Sequence, residues 1–338
     1  MKDICPDDYY DIPSWHLYHL DIDPTDIAVF HVPYPFHSDF EQQVNTALAN
    51  NKNVALLCSE LHRPAVDFIK RYQHANVTYF TCGFIPSVTT HLWMDWFVTT
   101  LHFYYNHMEL LDNLNPHTAK EFHFDILLGC TRVHREVVYN FVRTHQIDKL
   151  AILSYHRHGQ IPLRTNPNFI QEDGVEYIED SRNTGDMVKY MGVMVGMSRI
   201  IPAKIYNQTA YSVVTETNAE NDFTFYTEKI VKPILAKRLF IVIAGHNYLK
   251  NLRSLGFKTF DCVIDESYDD IEDNITRYNA ACEEIRKLSL LPQQEILDKI
   301  KPIVEHNKEV MLSTDWLGNF HKELKTALTT PKMPLYQL

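Results

Sequence analysis

Two doubly wound α/β domains are expected, and three observations lead there. The chain has 338 residues, and at about 100–200 residues per domain that length suits two. Short β-branched, apolar runs alternate with amphipathic stretches. The runs fall at 26–32 (DIAVFHV), 53–58 (NVALLC) and 76–82 (NVTYFTC), then at 122–129 (FHFDILLG), 149–154 (KLAILS), 211–215 and 239–244. Strands separated by helices form parallel sheets, because a parallel pair needs a crossover long enough to hold a helix. Hydrophobic residues make up 45% of the chain and aromatics 12%, which supports well-packed cores.

The elements follow in order. Residues 1–25 are polar and aromatic, with Pro6, Pro13 and Pro24, and read as an extended lead-in. His37-Ser38-Asp39 opens a helix after the first strand, and 64–72 forms a second helix. Gly83 and Pro86 stop the third strand. The stretch 90–113 carries Trp93, Trp96, Phe97, Phe103, Tyr104 and Tyr105, a helical stripe suited to packing on a sheet. NLNPHT at 113–118 reads as a linker. The expected division is therefore 1–118, 119–315, and a terminal helix at 316–338 that could cross back to the first domain. In the second domain Thr131-Arg132-Val133-His134-Arg135 starts a helix just after Gly129. Residues 160–189 lack periodicity and read as a long loop. A further strand is expected at 257–264, an acidic loop at 265–270, and helices from 271 onward with a break near Ser313-Thr314.

Composition narrows the class. A net charge of −11 argues against a nucleic-acid-binding surface. The six cysteines show no C-x-x-C spacing, so neither a disulfide framework nor a zinc site is implied. The start, MKDICPDDYYD, lacks the basic region and apolar core of a signal peptide. No apolar run approaches the roughly 20 residues of a membrane span. A cytoplasmic location is the expectation. With ten glycines and no G-x-G-x-x-G after the first strand, a dinucleotide dehydrogenase or nucleotide-sugar epimerase is disfavoured. Asp21-Ile22-Asp23 has the spacing of a metal-diphosphate motif but stands before the first strand, and chance explains it. His156-Arg157-His158 has no companion ligands at zinc spacing.

The chain is organised around 211–253: a strand (YSVVT), Glu216, a polar loop, Thr227-Glu228-Lys229 opening an amphipathic helix, and a second strand closed by Gly245. In a doubly wound sheet the chemistry sits at strand carboxyl ends beside helix amino ends. Unpaired N–H groups there suit a diphosphate. An acidic residue can accept from ribose hydroxyls, and a lysine can balance phosphate charge. Pro233 lies too deep for a first-turn proline if Thr227 caps the helix, so an irregular start is expected.

YSVVTET…FYTEKIVKPILAKRLFIVIAG resembles the C-terminal signature of the α1,3-fucosyltransferase-like glycosyltransferases, over roughly 121–280. That signature runs from a strand ending in a Phe-Glu-Asn-Ser box to Tyr-(Ile/Val)-Thr-Glu-Lys. The resemblance implies the GT-B fold, two Rossmann-like domains facing each other across a cleft. It implies inverting, metal-independent transfer of a sugar from a nucleotide-diphospho-sugar, with a GDP-sugar favoured, to a glycan or other hydroxyl acceptor. No cofactor is expected beyond that co-substrate. Eukaryotic members usually carry a Golgi anchor that is not seen here, so a viral or microbial source is expected. By the likeness Glu228 binds the ribose and Lys229 the diphosphate. Glu216 matches the glutamate that faces the donor sugar. Thr215 and Thr217 replace the neighbouring Phe and Asn of the box, so fucose is not assumed. Arg135 resembles the family's phosphate-facing arginine, with Arg132 beside it. Asn207, Arg199 and Lys204 are further candidates for the same diphosphate. An acceptor hydroxyl must lose a proton during inversion. Glu60, at a strand end of the first domain, is the expected base, with His37, Asp39 and Glu109 as rivals. The aromatic stripe at 90–113 offers an alternative use as an acceptor wall. A non-catalytic glycan- or nucleotide-sugar-binding protein on the same fold is the alternative reading.

Overall fold

The computed structural model describes residues 20, 27–33, 36–37, 39–50, 52–106, 109–156, 172–177, 187–219 and 223–330. The lead-in with Asp21-Ile22-Asp23, the pair Arg157 and His158, and most of 160–189 lie outside the described residues. The chain forms two compact units, one from 1–98 together with 315–338, the other from 99–314. The first division therefore falls between Val98 and Thr99, upstream of the Asn/Pro stretch at 113–118. Both units are α/β with parallel sheets, an arrangement compatible with Rossmann-like domains.

In the first unit β1 (Ile27–His31), β2 (Asn53–Cys58), β3 (Val77–Thr81) and β5 (His91–Leu92) form one parallel sheet in that order. Helices α1 (Phe40–Ala49) and α2 (Arg63–Arg71) are the crossovers, and β4 (Gly83–Phe84) follows β3. β2 is buried along its whole length, as a central parallel strand covered on both faces should be. α2 starts with Pro64 in its first turn, where the missing N–H costs nothing, and ends on Lys70 and Arg71, which suit the negative end of the helix. The terminal helix, α11 (Trp316–Thr329), belongs to this unit. Its Phe320, Leu324 and Leu328, one turn apart, join Ala55, Leu57, Phe80 and Trp93 in a single core. Phe320 stacks on Trp93 and meets Phe80 edge-on. The Asn53 amide donates to the carbonyls of Leu328 and Thr330, both at 2.9 Å.

Helix α3 (Asp95–Asn106) leads into the second unit, followed by α4 (Glu109–Asp112), β6 (Phe122–Cys130), α5 (Val133–Thr144) and β7 (Ala151–His156). Next come β8 (Val175–Tyr177), β9 (Met187–Tyr190) and β10 (Val193–Gly196), an antiparallel meander. Met191 and Gly192 both take positive φ (47° and 84°), the conformation of a two-residue hairpin turn. This corrects the reading of 160–189 as loop throughout: Val175, Val188 and Tyr190 join Phe103 and Ile200 in a small core. The remaining elements are α6 (Ala203–Gln208), β11 (Thr209–Thr215), β12 (Thr224–Phe225), α7 (Glu228–Leu235), β13 (Leu239–Ile243), α8 (Tyr248–Ser254), α9 (Asn274–Leu288) and α10 (Gln293–Ser313). The main sheet runs β13-β11-β6-β7, all parallel. From β6 the chain winds outward to β7, then returns past β6 to β11 and β13. The winding reverses between β6 and β11, and a doubly wound sheet opens a crevice at the carboxyl ends of such a pair.

Residues 257–264 form no strand, contrary to the sequence pattern. Their backbone groups are taken partly by a local turn, in which the Val263 and Ile264 N–H groups both donate to the Phe260 carbonyl, and partly by side chains. Asn307 of α10 pairs with both the N–H and the C=O of Lys258, at 2.7 and 2.8 Å, and Glu266 accepts from the Phe260 N–H. The amino ends of β6 and β11 are pinned by a buried ion pair. Arg238 donates to Asp125 at 2.6 Å, and also to Ser212, Thr209 and the Tyr206 carbonyl. Among the described residues no helix is long and apolar enough to cross a membrane.

Candidate functional site

The carboxyl ends of β6 and β11 bring together most of the residues singled out above. β6 ends at Gly129-Cys130, and Gly129 has φ of +62°, a backbone turn that a side chain strains. Arg132 is the extended residue that precedes α5, and Arg135 stands in that helix's first turn. β11 ends at Thr215, and Glu216 follows. Thr227 caps α7 with its side chain accepting from the Lys229 N–H at 3.3 Å. This places Glu228 and Lys229 at the amino end of a helix, where positive potential gathers. α7 continues through Pro233 to Leu235; proline lacks the N–H that the Lys229 carbonyl would otherwise receive.

Arg135 is 4% exposed, yet its guanidinium meets only neutral acceptors. It donates to the Cys130 carbonyl at 3.0 Å, the Cys130 Sγ at 3.3 Å and the Glu216 carbonyl at 3.5 Å. No carboxylate lies within ion-pair distance of it among the described residues. Its Nε, the Arg132 Nε and the Thr215 Oγ1 are buried with no hydrogen-bond partner among the described residues. Arg132 otherwise reaches the Asn218 Oδ1 at 3.4 Å. The Lys229 ammonium donates to Glu228 at 2.9 Å, Thr217 Oγ1 at 3.0 Å and Thr227 Oγ1 at 3.4 Å.

The electrostatics follow from burial. Burial pushes the Glu228 carboxyl up, but Lys229 and Lys232 outweigh it and hold the group below its ordinary value. Lys232, half-buried one turn along from Glu228, is brought down to about 8 by desolvation, against the pull of Glu228. His134 is driven to about 3 by burial and by Arg135, although its ring donates to the Glu216 carbonyl at 2.9 Å. It is therefore neutral at pH 7. Glu216 has no exposed surface, and burial raises its carboxyl despite the nearby Lys229, Thr227 and Tyr248. Four cations, Arg132, Arg135, Lys229 and Lys232, thus face two carboxylates, Glu216 and Glu228. A site with such a cationic surplus, built on a helix amino end, is fitted to a multiply charged anion.

Not every candidate joins it. Asn207 sits on α6 before the amino end of β11, the length of the strand away, roughly 20 Å at about 3.3 Å per residue. There it exchanges hydrogen bonds with the 113–115 backbone. Lys204, on the same helix, pairs with Asp173 at 2.7 Å. Glu60 lies in the first unit, half-buried just after β2, and its carbonyl accepts from Cys58 and His62. His37 and Asp39 belong to the same unit; Asp39 precedes α1 without a side-chain cap bond. Glu109 is exposed on α4.

Sequence reasoning passed over Lys232, although its spacing of four from Glu228 on a helix was a usable signal. It also passed over Tyr248, Arg277 and Tyr278. Tyr248 donates to Glu216 at 2.7 Å. Tyr278 and Arg277 of α9 both donate to the Ala219 carbonyl, at 2.7 and 3.2 Å, and fix the loop after Glu216. Nothing local in the sequence marks these three. Among the described residues no group of three or more His, Cys, Asp or Glu is placed to hold a metal ion. The chain matches no protein-family model, no curated protein and no solved structure.

Proposed function

We propose that this chain is a glycosyltransferase of the GT-B type, resembling the α1,3-fucosyltransferase-like enzymes, that uses a nucleotide-diphospho-sugar. The observation that carries this reading is a buried arginine, Arg135, that has no carboxylate within ion-pair distance among the described residues, set beside Arg132 and the amino end of α7. In this reading Arg135, Arg132 and Lys229 take the diphosphate and stabilise it as it leaves. Glu228, held ionised by its lysines, accepts from the ribose hydroxyls. Glu60 of the first unit is the candidate base for the acceptor hydroxyl, and transfer is inverting. The same cationic cluster would also serve a non-catalytic nucleotide-sugar-binding protein. That second reading is favoured by the sealed carboxylate of Glu216, which leaves this site without a solvent-reachable acid at the position matched to the sugar-facing glutamate.

A thermal-shift panel of GDP-, UDP-, CMP- and dTDP-sugars tests the proposal, repeated with Lys229→Ala, Glu228→Ala and Arg135→Lys. Stabilisation of the wild type by one nucleotide class, lost in the variants, supports it. No stabilisation by any member removes it. Slow hydrolysis of the stabilising donor, abolished in Glu60→Gln or not, then separates enzyme from binder: a binder leaves every donor intact.

A further inference from the structure

Glu216 is matched by resemblance to a sugar-facing residue, but its surroundings assign it other work. Its two carboxylate oxygens accept four hydrogen bonds. Oε1 receives the Thr227 N–H at 3.3 Å and the Tyr248 hydroxyl at 2.7 Å. Oε2 receives the Thr227 hydroxyl at 2.7 Å and the Thr217 N–H at 3.2 Å. Four donors fill the acceptor capacity of an ionised carboxylate and leave no lone pair for a substrate hydroxyl. The side chain has no exposed surface.

We propose that Glu216 is a positioning residue: its carboxylate fixes the direction of the Thr227 hydroxyl and, through it, the seat of the Lys229 ammonium. A carboxylate only accepts, so the Thr227 hydroxyl must give its proton to Glu216. Its lone pairs then face Lys229 and accept from both the Lys229 N–H and the ammonium. A second acceptor for that ammonium, the Thr217 hydroxyl, belongs to the residue whose N–H Glu216 also holds. One buried carboxylate thus places two of the three acceptors that seat the lysine. The proposal rests on the anion-binding reading of the site.

The test is titration calorimetry of the full chain with inorganic pyrophosphate, on wild type, Glu216→Gln, Thr227→Val, Thr227→Ser and the Glu216→Gln/Thr227→Val double variant. A glutamine keeps the shape but presents an N–H₂ that reverses the Thr227 hydroxyl. Glu216→Gln and Thr227→Val should each weaken pyrophosphate about tenfold, the scale of one hydrogen bond to a charged group. Thr227→Ser should retain affinity, and the double variant should be no weaker than either single one. If Glu216 were merely a negative charge near an anion, Glu216→Gln would tighten binding, which overturns the proposal. If it contacted the sugar, Glu216→Gln would spare pyrophosphate and weaken only the sugar nucleotide relative to its nucleotide diphosphate, which also overturns it. If the wild type binds neither pyrophosphate nor any nucleotide diphosphate, the nucleotide-sugar reading falls separately. Amide exchange at Lys229 then decides the positioning claim. Faster exchange in Glu216→Gln and Thr227→Val, with β11 protection unchanged, upholds it, and unchanged exchange at Lys229 overturns it.

Discussion

His134 shows how one buried group ties the site to pH. Its folded value of about 3 lies below the ordinary 6.5, so the unfolded chain binds a proton that the folded chain refuses. Stability is therefore complete above about pH 6.5 and is lost as pH falls toward 3, with a slope near 1.4 kcal/mol per pH unit from this residue. Glu228 acts in the same direction at lower pH, because its folded value is also depressed. Glu216, raised by burial, acts oppositely and favours the folded state as pH falls. Urea midpoints at pH 7, 6 and 5 should fall less steeply in His134→Gln than in the wild type, by about one proton's slope. Gly129 makes a second residue-level case. A Cβ there would stand 3.4 Å from the Arg135 guanidinium, on a backbone at φ +62°. Gly129→Ala should cost about 1–2 kcal/mol of stability by chemical denaturation and should weaken pyrophosphate binding at the same time.

At the scale of elements, the site depends on two parallel strands keeping their register. β6 and β11 pair through Phe124–Tyr211, Asp125–Ser212 and Ile126–Val213, so Gly129 and Thr215 finish side by side on the same edge of the sheet. The Arg238–Asp125 network pins the far ends of those strands, with side chains 3% and 5% exposed. Its worth is best measured by breaking it: removal of one partner leaves a buried charge uncompensated. Arg238→Met should lower unfolding free energy by about 3–5 kcal/mol in urea melts, although it lies at the opposite strand ends from the cationic cluster. α7 contributes differently. Its capping residue, its acid and its lysine are consecutive, so a single helix start delivers a hydroxyl, a carboxylate and an ammonium to one place.

For the whole molecule, chain order and spatial order disagree. The first unit is assembled from 1–98 and 315–338, while the second is one continuous stretch, 99–314. Every residue of the cationic cluster lies in that stretch, and so do Arg238, Tyr248, Arg277 and Tyr278, which support it. A fragment of 99–314 should therefore fold cooperatively and bind pyrophosphate with nearly the affinity of the full chain, by circular dichroism and calorimetry. A fragment of 1–98 should not fold alone, because Phe320, Leu324 and Leu328 would be missing from the core around Phe80 and Trp93. The net charge of −11 makes the cationic cluster a local exception on an acidic chain.

Local chemistry made much of this protein legible in its sequence. β-branched runs such as NVALLC and YSVVT mark central strands because both faces are buried. Thr227-Glu228 marks a helix start because a threonine cap and an acid in the first turn suit the helix amino end, whereas Lys229 there runs against the dipole and stands out for that reason. Arg135 is visible just after Gly129 because an arginine at a helix start suits a phosphate and because the position resembles the family's phosphate-facing arginine. Three things were beyond the reach of local pattern. Residues 257–264 carry a strand's composition, but Asn307 and Glu266 take the backbone of Lys258 and Phe260, a turn on the Phe260 carbonyl takes Val263 and Ile264, and no strand forms. Asn207 is near Glu216 in sequence, yet a strand rises about 3.3 Å per residue and carries it to the opposite edge. By its likeness Glu216 reads as a strand-end acid facing the donor sugar, and only the convergence of Thr227, Tyr248 and Thr217 seals it inside. Periodicity and capping depend on neighbours along the chain, so the sequence by itself determines them. Which partners meet a buried carboxylate depends on groups brought together by distant segments, and only the tertiary structure decides that.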